Sequence, residues 1–144
     1  MAQAAHAGAG DEGPSRLVAA DLATPDDLLA ASGYLFCCPE NLGAMTGEMK
    51  AMFDRCYYPL LGRIEGRPYA TMIAAGSDGS GAERQIDRIV TGWRLRRIAD
   101  PIVVCTHAQT PEEILAPKIP APAALQSCHE LGQAFSAGLA LKVF

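Results

Sequence analysis

The chain has 144 residues, 49% of them apolar and 19% charged, with a net charge of −4 and a pI near 5.3. That length supports one domain burying about two-thirds of the surface its unfolded form exposes, and the composition excludes wholesale disorder. No basic field faces a phosphate backbone, no apolar run reaches the ~20 residues of a membrane helix, and the start lacks a secretion signal; a cytoplasmic protein without nucleic-acid or membrane partners is expected.

Met1 to Ala9 is alanine-rich and reads as helix, with Gly8, Gly10 and Gly13 loosening the chain beyond it. Arg16–Ala20 reads as a short strand. Thr24-Pro25-Asp26-Asp27 is a strong helix start: a capping threonine, proline in the first helical position and acids in the first turn. Tyr34–Cys38 is an apolar run between Gly33 and Pro39, as expected of a strand covered on both faces. Pro39 to Ala44 then reads as a polar loop. Met45, Met49, Met52, Phe53 and Cys56 follow helical spacing, with Thr46 as cap.

Tyr69–Ala75 is the next buried strand, and Gly76 to Gly81 a second small-residue loop. Ser80 and Glu83 match the S-x-x-E capping box at the head of a helix buried along Ala82, Ile86, Ile89, Val90 and Trp93. Pro101–Cys105 is a further strand, Thr110-Pro111-Glu112-Glu113 a further helix start, and Pro117, Pro120 and Pro122 forbid regular structure between. The last helix buries Leu125, Cys128, Leu131, Gly132, Phe135 and Leu139. The five cysteines, Cys37, Cys38, Cys56, Cys105 and Cys128, are odd in number and lack CxxC spacing, so buried free thiols are expected rather than metal ligands.

Strands alternating with helices predict an α/β domain with a parallel sheet wrapped on both sides. A helix at Met1 should itself follow a strand, and none precedes it, so the fold is expected to be cut at its front. Ligands of such sheets settle at the carboxyl ends of the strands. The two small-residue loops belong there, rich in exposed backbone, and suit a flat ring gripped by main-chain groups with Leu42 or Met45 against its face. A flavin ring wants such donors near its carbonyls.

Gly33 to Arg55, above all CCPENLGAMTGEMKAMFDR, resembles the flavodoxin-like NAD(P)H-dependent FMN reductase and quinone oxidoreductase families, including the tryptophan-repressor-binding-protein type. The motif G-T-P-x-x-x-G-x-M-[ST]-G-x-[ML]-K is matched at Pro39, Gly43, Met45, Thr46, Gly47, Met49 and Lys50; Cys37 and Cys38 stand where a Gly-Thr pair is usual. Ala74 to Glu83, AAGSDGSGAE, is similar to the families' strand-four loop. The resemblance implies a flavodoxin-like three-layer α/β/α sandwich whose first strand and phosphate loop are absent from 1–144, one N-terminally truncated domain. It implies FMN as cofactor, NAD(P)H and a quinone-like acceptor as partners, and a homodimer or homotetramer. Pro39, Glu40, Asn41, Leu42, Gly43 and Met45, with Gly76, Ser77, Asp78 and Gly79, would line the flavin; no catalytic side chain or metal is expected. The rival expectations are a flavodoxin-type electron carrier and a cofactor-free scaffold.

Overall fold

The computed structural model describes all 144 residues. Helices α1 (Ala2–Glu12) and α2 (Pro25–Ala30) lead into strand β1 (Tyr34–Asn41). A two-residue strand β2 (Ala44–Met45), helix α3 (Gly47–Leu60), strand β3 (Pro68–Ala75) and helix α4 (Ser80–Gly92) come next. Short strands β4 (Arg96–Arg97) and β5 (Ile102–Cys105), then helices α5 (Pro111–Leu115) and α6 (Pro122–Ala140), complete the chain. This is the flavodoxin-like three-layer arrangement: a mostly parallel sheet with helices on both faces.

β3 is the centre of the sheet. On one side it pairs in parallel with β1, Tyr34 opposite Tyr69 through Pro39 opposite Ala74. On the other it pairs first with β4, then with β5 from Met72–Ile102 to Ala75–Cys105. β4 and β5 are two pieces of one strand interrupted before Pro101, which has no N–H to donate to a ladder. Only the second piece has a strand's apolar pattern in the sequence.

Alternation along the strands divides the core. Tyr34, Phe36, Cys38, Tyr69 and Ile73 face the larger cluster, with Met49, Met52, Phe53 and Cys56 of α3, Ile86 and Val90 of α4, and Trp93. Met72 faces the smaller one beside Ala5 of α1 and Cys128 of α6, with Leu35 and Cys37 packed against it. None of the cysteines is bonded to another; burial pushes the Cys37 thiol up to about 11 and raises Cys38 as well, so both stay protonated.

Two sequence expectations fail because of partners distant in sequence, one present and one missing. Gly8 and Gly10 do not loosen the chain, since α1 runs through both and ends only at Gly13: a Cβ on Gly8 would lie 2.0 Å from the carbonyl oxygen of His129, and one on Gly132 of α6 would lie 1.9 Å from that of Ala5. Gly8 and Gly132 let α1 and α6 approach backbone to backbone. Arg16–Ala20 forms no strand, because no strand lies along the outer edge of β1 from Tyr34 to Pro39 and a ladder needs a partner. The segment is held instead by Arg55, whose guanidinium donates to the carbonyls of Ala20 (2.8 Å) and Ala23 (2.9 Å).

At the amino end of β3, the Tyr69 hydroxyl donates to Asp87 (2.5 Å), Arg97 pairs with Asp87 (2.9 Å) and with Glu83, and the Arg97 guanidinium lies 5.1 Å from the Tyr69 ring centroid. The hydrogen bond from Tyr69, then that from Arg97, holds the Asp87 carboxyl below its ordinary range, while burial, then Asp87, pushes Tyr69 up to about 12. A depressed carboxyl contributes stability above its unfolded value that is lost as pH falls through the folded one; a raised phenol contributes stability below about 10 that is lost as pH climbs towards 12. Urea midpoints should therefore fall on both sides of neutrality. Asp87→Asn should flatten the acid limb and Tyr69→Phe the alkaline one. Unchanged limbs in both variants would dismiss the cluster as a source of pH dependence.

Candidate functional site

The first turn is tighter than its sequence suggests. β1 does not stop at Cys38 but continues through Pro39, Glu40 and Asn41, because Glu40 and Asn41 find antiparallel partners in Met45 and Ala44. Leu42 and Gly43 reverse the chain with φ of 53° and 73°. Positive φ at both central residues is the pattern of a type I′ hairpin turn, which glycine accepts freely and leucine adopts at a cost of about 1–2 kcal/mol. The strained Leu42 side chain is fully exposed. Strain of this kind collects at ligand sites.

The second turn runs from the end of β3 to the head of α4. Gly79 has φ 82°, and a Cβ there would lie 2.6 Å from Val103 Cγ1, so only glycine fits. The expected Ser80–Glu83 capping box does not form. α4 has no side-chain cap of its own; Glu83 is drawn away by Arg97, and the Ser80 hydroxyl donates to the Asp78 carboxylate. Glu40 caps the helix from across the rim: Oε1 accepts from the Gly79 N–H (3.0 Å) and Oε2 from that of Ala82 (2.9 Å). Gln85 Oε1 accepts from the Met45 N–H (3.1 Å), and a Cβ on Gly81 would lie 2.0 Å from the Gly43 carbonyl oxygen. The two turns therefore form one continuous rim at the carboxyl ends of β1 and β3.

Of the residues singled out from sequence, Pro39, Asn41, Leu42, Gly43, Gly76, Ser77 and Asp78 are exposed on this rim. Glu40 is half-buried between the turns, and Gly79 is buried beneath. Met45 is 6% exposed and belongs to the core, which leaves Leu42 as the apolar side chain presented outward. The N–H groups of Leu42, Gly43, Ser77 and Asp78 donate to no protein atom. Gly81 and Gln85 carry no motif of their own, and only their i, i+4 spacing on one helix face hints that they act together. His107 stands just beyond β5. Its N–H donates to the Gly76 carbonyl (2.7 Å), and it lines a hollow of about 270 Å³ with Thr106, Ala108, Glu113, Pro117 and Lys118. No group of three His, Cys, Asp or Glu could hold a metal, and no helix is long and apolar enough to cross a membrane.

A rim of unpartnered main-chain donors at the carboxyl ends of a parallel sheet is where ligands of flavodoxin-like folds bind. Residues 22–109 match the family model described as NADPH-dependent FMN reductase, and the chain belongs to that family. It is 34% identical over 76 residues to a protein from Aquifex aeolicus named "Flavodoxin", a match covering 53% of this chain and 41% of that one. The chain thus matches less than half the length of that curated relative. Its fold is similar to a flavodoxin from the domain Archaea (TM-score 0.74, 15% identity, 96% of this chain and 87% of that one). It is also similar to a flavodoxin, WrbA-like protein from Agrobacterium tumefaciens (TM-score 0.72, 12% identity, 97% and 87%).

FMN is the cofactor of the family, and the residues present fit its ring. Four main-chain donors await acceptors, Leu42 offers an apolar face, and a Cβ added at Gly43 or Gly76 would meet nothing within 4 Å, so the space above both turns is open.

Proposed function

We propose that this chain forms the flavin-binding part of an NAD(P)H-dependent oxidoreductase that passes electrons through FMN to a quinone or similar acceptor. The observation that carries this reading is the continuous rim, with unpartnered N–H groups on both turns. FMN, when bound, supplies the capacity to accept a hydride and release its electrons. The chain's own residues bind and orient it. The N–H groups of Leu42, Gly43, Ser77 and Asp78 would hold the ring's polar edge, Leu42 would cover a face, and Pro39, Asn41, Gly76 and Gly79 would shape the seat. Met45 would support the first turn from beneath, since its side chain is buried and its N–H is taken by Gln85. No side chain need move a proton on this reading. A homodimer or homotetramer is part of the proposal, supported by Ile114, Leu115 and Ile119, which expose apolar surface close to the hollow beside Gly76.

The test is anaerobic titration of the protein with FMN, then with NADH or NADPH. Binding followed by bleaching of the flavin supports the oxidoreductase. A second reading, an electron carrier without a nicotinamide site, is favoured by the name of the Aquifex aeolicus relative. Bound flavin that neither nucleotide reduces would select it, and no binding at high FMN would leave a cofactor-free scaffold.

A further inference from the structure

The head of α4 is the natural anion seat of this rim, because a helix N-terminus concentrates unpaired N–H groups and positive dipole. That seat is filled from within. Both Glu40 carboxylate oxygens are engaged, one by the N–H of Gly79 and the other by that of Ala82, across 39 and 42 residues of sequence. The Gln85–Met45 hydrogen bond and the close packing of Gly81 on the Gly43 carbonyl tie the two turns beside it. The ends of β1 and β3 fix the roots of the two turns, but their tips lie beyond the parallel ladder, which ends at Pro39–Ala74.

We infer that Glu40 is a positioning residue, an internal anion that occupies the α4 N-terminus and thereby locks the Gly76–Gly79 turn against the Leu42–Gly43 turn in the spacing the flavin needs. The consequence for the ligand rests on the flavin reading, but the lock is a property of the chain alone. Glu40 touches no ring on this view. It holds the donors of the second turn in place and denies the helix head to any free anion, the cofactor's phosphate included.

Two independent readouts test the lock. In the cofactor-free full chain, amide exchange at Gly79 and Ala82 should quicken roughly ten- to a hundredfold in Glu40→Ala, as expected when charge-assisted hydrogen bonds are lost. Glu40→Gln should give a smaller change, because its amide retains one acceptor oxygen. Acetate added to Glu40→Ala should restore protection by entering the vacated seat, and inorganic phosphate should raise the melting temperature of that variant but not of the natural chain. A merely structural carboxylate would not be replaced by a free one. In the second readout, Glu40→Ala should bind FMN about ten- to a hundredfold more weakly, with affinity partly regained in acetate. Glu48→Gln, which alters an exposed acid of α3 bonded to neither turn, is the charge control and should match the natural chain in both.

Unchanged exchange at Gly79 and Ala82 in Glu40→Ala would overturn the lock. Faster exchange with undiminished FMN affinity would overturn its role in seating the flavin. Failure of the natural chain to bind FMN would instead refute the functional reading, while the exchange and acetate measurements still judge the lock.

Discussion

Gly81→Ala is expected to leave α4 intact and to disrupt the seat. In an ordinary helix the substitution is favourable by about 1 kcal/mol. Here the added Cβ would lie 2.0 Å from the Gly43 carbonyl oxygen and 3.1 Å from Glu40 Oε2. The carbonyl belongs to backbone, so the first turn must retreat by more than about 1 Å to reach van der Waals distance. Overpacking of this sort costs about 1–3 kcal/mol. Borne by the proposed flavin seat, it should raise the FMN dissociation constant roughly ten- to a hundredfold. Helix content by circular dichroism should be unchanged. Undiminished affinity would mean that the spacing of the turns does not matter to the ligand.

Trp93→Ala should do the reverse, costing stability and sparing the seat. Trp93 is 1% exposed, stacks on Tyr57 with ring centroids 5.7 Å apart, meets Phe53 at 5.5 Å, and donates from its indole N–H to the Tyr57 carbonyl (3.0 Å). Removing so large a buried side chain costs about 3–5 kcal/mol, a major share of the ~5–15 kcal/mol of a typical domain. The urea midpoint should fall accordingly with little change in slope. α4 is roughly 18 Å long and separates Trp93 from the rim, so the folded variant should keep its FMN affinity. A stability loss below about 1 kcal/mol would contradict the aromatic cluster as the main support of this face.

The elements legible in the sequence are those whose signals are local. Thr24-Pro25-Asp26-Asp27 and Thr110-Pro111-Glu112-Glu113 start the helices that their threonine, proline and acids predict, each closing a capping box as well, and the α3 stripe of Met49, Met52, Phe53 and Cys56 is buried. The illegible features depend on distant partners. Ser80 and Glu83 have the capping-box pattern, yet Arg97 takes Glu83, and the cap comes from Glu40, far away in sequence. Arg16–Ala20 has strand composition without a neighbour to pair with. Pro39–Asn41 has loop composition but becomes strand because a two-residue turn returns Ala44 and Met45 alongside it. The two turns of the candidate site are legible in their small and polar residues; that they touch, and that an acid bridges them, is tertiary information.

The central claim is that FMN lies across both turns at once. The most direct measurement is a nuclear magnetic resonance titration of the labelled chain with FMN, following the backbone amides. The account predicts the largest shifts at Leu42, Gly43, Ser77 and Asp78, saturating together with one dissociation constant. Shifts confined to one turn, or clustered elsewhere on the molecule, would contradict it.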